Sequence, residues 1–159
     1  MVRLAAVFGP AIAIALVLPA LAAEPAYLDD RSTAASLVRS FYNAVNRHEY
    51  ARAYTYFGEG GGPQPYEQFA QGYADTQFVT VVTGTAVGDG AAGSSYYTLP
   101  VAIDAVSDGG GHKQFAGCYT TKLVDPGNQD PPVTPMYIFK AALHPAHGAL
   151  ASLLTDCQP

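Results

Sequence analysis

The apolar residues of this chain change their period once, near Thr76, and that change divides the chain into two blocks. Before it they recur every three to four positions; after it they alternate with polar ones. Leu37, Val38, Phe41, Tyr42 and Val45 share one face of a helix that Ser32-Thr33 can cap and that ends at Asn46. A second helix is expected from His48 to Gly58, with Tyr50, Tyr54 and Phe57 in one stripe. The stretch "GEGGGPQP" (58–65) is a loop, and Pro65 can open a third, shorter helix with Tyr66, Phe69 and Tyr73 on one side. Strands rich in Thr, Val and aromatics are expected at 76–87, 96–106, 113–124, 136–144 and 148–157. Turn-forming stretches at 88–94, 107–111, 125–135 and 145–148 separate them. Pro100 inside the second strand implies an edge or a bulge. Helices in one block and strands in another, joined by hairpins, specify an α+β fold with an antiparallel sheet.

The first residues set the compartment. A single basic residue, Arg3, precedes an uncharged apolar run from Leu4 to Ala23, and small residues stand at Ala20 and Ala22. This is the pattern of a secretory signal peptide, residues 1–22, cut after Ala22. The competing reading is an uncleaved anchor, against which Pro10, Pro19 and the small-residue end speak. Removing 22 residues from 159 leaves 137: a short polar leader (23–31) and one domain (32–159), large enough to bury its own core. The product is expected to be periplasmic or secreted. A formal charge of −5 with no basic run argues against nucleic acid and anionic membrane surfaces as partners.

Two cysteines, Cys118 and Cys157, are expected to pair in such a compartment. Cys118 alternates with Phe115 and Tyr119, so it lies on the outer face of its strand. In a plain meander one strand separates it from Cys157, too far for a bridge. Either the tail crosses back over that strand or the strand order differs.

The segment "LVRSFYNAVNRHEYARAYTYF" (37–57) resembles the opening helices of the NTF2-like superfamily, which includes SnoaL-like and ketosteroid-isomerase-like proteins. "FAGCYTTKLV" (115–124) followed by "MYIFKAAL" (136–143) is similar to its last pair of long strands. The resemblance implies an α+β cone, about three N-terminal helices packed on a curved antiparallel sheet of about five strands, with a pocket between them. It implies little about activity, because the superfamily holds isomerases, dehydratases and cyclases beside non-catalytic binding and dimerisation domains.

Three sets of residues could carry function. Tyr42, Tyr54, Phe57, Phe69, Tyr73, Phe115, Tyr119 and Tyr137 could all face one interior, a cavity for an apolar or ring-bearing ligand, or else a filled core. Asp75 and Tyr119 are the candidates for acid/base work, Asp75 near a pocket rim and Tyr119 as an inward donor. The isomerase arrangement of an aspartate base with tyrosine and carboxyl donors does not map onto the chain. His144-x-x-His147 in "ALHPAHG" (142–148), with His112 and Asp108 brought to the same end of the sheet, could ligate zinc or copper. Pro145 rules out the helix on which that spacing is a strong signal, so no metal or other cofactor is expected. The sequence therefore reads as an exported, non-catalytic module for a small apolar or aromatic ligand or an envelope protein partner. An acid/base enzyme of the SnoaL type and a dimerising accessory domain are the alternatives.

Overall fold

The computed structural model describes residues 24–58 and 65–157; the expected signal peptide lies outside them. The helical block comes first. Helix α1 (Ala34–Asn46) is capped by Thr33, whose hydroxyl accepts from the Ser36 amide at 3.0 Å. Its buried face carries Leu37, Val38, Phe41, Tyr42 and Val45, as the spacing requires. His48 then takes a left-handed conformation with φ of 54°, which reverses the chain. The second helix is accordingly shorter than expected: α2 spans only Tyr50–Tyr54. Helix α3 (Tyr66–Gly72) follows Pro65 and buries Phe69.

Five antiparallel strands follow: β1 (Thr76–Thr83), β2 (Val87–Ala91), β3 (Ser94–Ser107), β4 (His112–Val124) and β5 (Tyr137–Ala146). The order is β1-β3-β4-β5, and β2 pairs with the other end of β3. The long β3 thus receives β1 against Val101–Ser107 and β2 against Ser94–Thr98. Two expectations need correction. The stretch 88–94 is not all turn: Val87–Ala91 pairs with β3, and the reversal is confined to Ala92 and Gly93, with φ of 46° and 78°. Residues 148–157 are not a strand; they form a 3-10 turn at Leu150–Leu153 and then extended coil.

Pro100 lies in the central strand rather than on an edge. Its carbonyl accepts from the Gly84 amide at 2.8 Å, in the gap where β1 has ended and β2 has not begun. The amide and carbonyl of one antiparallel residue point to the same side, so the missing N–H falls in that gap and costs no ladder bond. Gly117 in β4 has φ of 155°, and a Cβ there would overlap the Ala142 carbonyl oxygen of β5. Only glycine lets the two strands approach so closely.

The core lies between the helices and the inner face of the sheet. Leu37, Val38, Phe41 and Val45 meet Val79, Leu99, Val101, Ile103, Tyr119 and Ile138. The ends of the chain pack on the outside. Residues 24–31 are docked on the helix pair: Asn43 donates to the Ala26 carbonyl, Arg52 to the Leu28 carbonyl, and Arg52 stands 4.5 Å over the Tyr27 ring. At the other end, the tail crosses back over β4 on the outer face. Cys157 bonds Cys118 there, with Cα atoms 5.9 Å apart, and the Leu150–Leu153 turn lies against β3. The bridge is as expected, and the crossing tail is the route that permits it. Thr98, Pro100 and Ala102, on the outer side of β3, are buried.

The result is an NTF2-like α+β cone, three N-terminal helices on a curved, open antiparallel sheet of five strands. No described helix is long and apolar enough to cross a membrane.

Candidate functional site

The open end of the cone holds a cleft of about 500 Å³. Helices α1 and α3 supply Phe41, Tyr42 and Phe69, with Tyr73 just after α3; Phe57 follows α2. The sheet supplies Val79, Ile103, Ala105, Phe115, Tyr119 and Leu143 from its inner face. Period 2 puts Phe115 and Tyr119 on the same side of β4, and period 3.6 puts Phe41 and Tyr42 on the buried side of α1. Of the eight aromatic residues expected to share one interior, six line this cleft: Tyr42, Phe57, Phe69, Tyr73, Phe115 and Tyr119. Tyr54 instead packs against the Tyr66 and Phe69 rings, with centroids 5.5 and 5.3 Å away. Tyr137 lines a different and more polar cavity, about 390 Å³, under the proline-rich loop 125–135.

The aromatic walls interlock. The Phe41 ring contacts those of Tyr42, Phe57, Phe69 and Tyr73, with centroids 4.7 to 6.4 Å apart. At the closed end the hydroxyls of Tyr42 and Tyr119 meet at 2.7 Å, each residue no more than 3% exposed. Burial holds both phenols well above their ordinary pKa, so both keep their protons. Two hydroxyls that share one hydrogen bond carry two protons between them. One proton is therefore left with no acceptor among the described residues. The Tyr73 hydroxyl, on the same cleft, makes no hydrogen bond with a described residue, and burial pushes its pKa up to about 12. Two donors thus stand unspent in an aromatic cavity.

The mouth is charged. Asp75, before β1, and Lys113, early in β4, both line it and both are exposed. Among the described residues Asp75 is the sole carboxyl lining the cleft, at its rim as the sequence suggested. Sequence reasoning did not single out Lys113, although its parity with Phe115 and Tyr119 places it on the inner face.

The histidines do not assemble. His112 bonds the Asp104 carboxylate at 3.0 Å on the outer face, and His144 and His147 are exposed. The turn at 107–111 and the end of β5 do lie at the same end, since Gln114 pairs with Ala146. Yet no group of three or more His, Cys, Asp or Glu among the described residues is placed to hold a metal ion. "ALHPAHG" is the end of an edge strand, tied by the Gly148 amide to Gln114 at 2.9 Å.

Compared with protein-family models, curated proteins and solved structures, the chain matches none.

Proposed function

We propose that this is an exported member of the NTF2-like superfamily that binds a small, ring-bearing, apolar ligand through a carbonyl-type oxygen, without transforming it. The observation that carries the reading is the Tyr42–Tyr119 hydroxyl pair at the closed end of an aromatic cleft. The pair's second proton, which no described residue accepts, is free for an acceptor that enters the cleft. A ligand oxygen reaching the pair accepts that proton, while its rings meet Phe41, Phe57, Phe69 and Phe115. Export is supported by the Cys118–Cys157 bridge, a kind of bond found mainly in proteins of oxidising compartments.

The acid/base reading rests on Asp75 and Tyr119 lining the same cleft. Asp75 is exposed at the mouth, where water competes for any proton it would take, and this favours binding over proton transfer. The dimerising reading needs an open outer sheet face, and this chain lays its own tail over the middle of that face.

The test is a titration of the protein, purified from a bacterial periplasm, with 4-acetylbiphenyl. The chain has no tryptophan, so its emission comes from 11 tyrosines, of which Tyr42, Tyr73 and Tyr119 line the cleft. Saturable binding is expected, weakened about three- to tenfold by Tyr119→Phe, the worth of one hydrogen bond. Absence of saturable binding by this ketone and by other aryl ketones would refute the reading. Deuterium uptake at the acetyl methyl in heavy water, lost in Asp75→Asn, would move it to acid/base catalysis.

A further inference from the structure

We infer that the ligand of this cleft carries an anionic group, a carboxylate, at the end opposite its carbonyl, held by Lys113 at the mouth. The inference rests on the binding function proposed above and specifies the ligand class. Lys113 lines the cleft and makes no ion pair or hydrogen bond through its side chain with a described residue. Its ammonium is therefore an uncommitted charge at the rim of an otherwise aromatic wall. Lys113 and Tyr119 stand six positions apart on the same face of β4, roughly 20 Å between Cα atoms at about 3.3 Å per residue. Both residues line the cleft, and that span leaves room for a body of two rings with a polar group at each end.

The polarity of that body follows from the two ends. The closed end offers hydroxyl donors and no cation, so it takes a neutral acceptor; a carboxylate buried there would be desolvated without a counter-charge. The mouth offers the cation, where a carboxylate keeps part of its water. Asp75 is the competing charge. It lies before β1, across β3 from β4 and further along the sheet, where its carbonyl accepts from the Asp108 amide, and it forms no salt bridge with Lys113. The face of β4 that bears Tyr119 leads to Lys113, so a ligand seated on the tyrosine pair and lying along this strand ends at the lysine.

The probe is a matched set on one scaffold: 4-acetylbiphenyl, 4′-acetylbiphenyl-4-carboxylate, its carboxamide, and the 4′-aminomethyl analogue. At low salt the carboxylate is expected to bind about five- to tenfold more tightly than the carboxamide, with the amine weakest. Added salt should shrink the difference. Lys113→Gln should erase the preference of carboxylate over carboxamide, while Lys113→Arg should keep it. Equal binding of acid and amide, or tightest binding of the amine, overturns this inference and leaves the cleft reading standing. Failure of every compound to bind, the neutral parent included, overturns both.

Discussion

Replacing both cysteines, Cys118→Ser with Cys157→Ser, should lower the stability of the protein by about 3–4 kcal/mol. The bridge closes a loop with a sequence separation of 39, and the chain-entropy model gives about 4 kcal/mol for a loop of that length. The native state also loses the clamp that holds the tail across the outer face, where Cys157 is 6% exposed. Urea unfolding of the double variant against the oxidised parent measures the difference. The cleft lies on the other face of the sheet, so affinity for 4-acetylbiphenyl should not change while the protein remains folded. A stability change below about 1 kcal/mol would mean that the tail is held by its packing and that the bridge adds little. A loss of affinity in the folded variant would mean that the two faces of the sheet are coupled.

Phe41→Ala should cost about 3–5 kcal/mol, the range for a large aromatic removed from a packed core. Phe41 is 1% exposed and its ring is in contact with those of Tyr42, Tyr56, Phe57, Phe69 and Tyr73. It joins α1 to the chain around α2 and α3 and forms part of the cleft wall, so one substitution opens both core and site. Phe139, on the outer side of β5 and 56% exposed, is the control. Its replacement by alanine removes an edge contact with Tyr96 and the Lys122 ammonium 6.0 Å from the ring centroid, and should cost less than about 1 kcal/mol. Similar losses for the two variants would contradict the placement of the core.

The block order was legible in the sequence because periodicity reports burial, and burial here follows the elements closely. The α1 face of Leu37, Val38, Phe41, Tyr42 and Val45 was read residue by residue. So were six of the cleft aromatics, since a helical stripe and an alternating strand both point inward in a two-layer fold. Tyr54 and Tyr137 show the limit of that reasoning. Each is aromatic and partly buried, yet the turns around them aim the rings elsewhere, and period alone does not report a turn's exit direction. Strand β2 was hidden by its own glycines. Gly88 lies against the Tyr97 ring, where a Cβ would stand 3.2 Å from it, so composition suggested a loop where cross-strand packing makes a strand. The tail misled in the opposite sense. "GALASLLTDC" is apolar enough for a strand, but Gly148 at φ of 149° turns it away from β5 and the disulfide draws it over β4. Lys113 has the parity of the inner face, but a charged residue at a strand start is commonly solvated. Only the neighbouring aromatic residues of the same parity give it a role.

The central claim is that a ligand oxygen accepts a hydrogen bond from the Tyr42–Tyr119 pair. The most direct measurement is the infrared difference spectrum of 4-acetylbiphenyl labelled with carbon-13 at its carbonyl, bound to the parent protein and to Tyr119→Phe and Tyr42→Phe. The account predicts a carbonyl band displaced to lower frequency than in an apolar solvent, and moved toward the solvent position in the variant that lacks the hydroxyl donating to the ketone. A bound ketone with its carbonyl at the apolar-solvent frequency in the parent protein would contradict it.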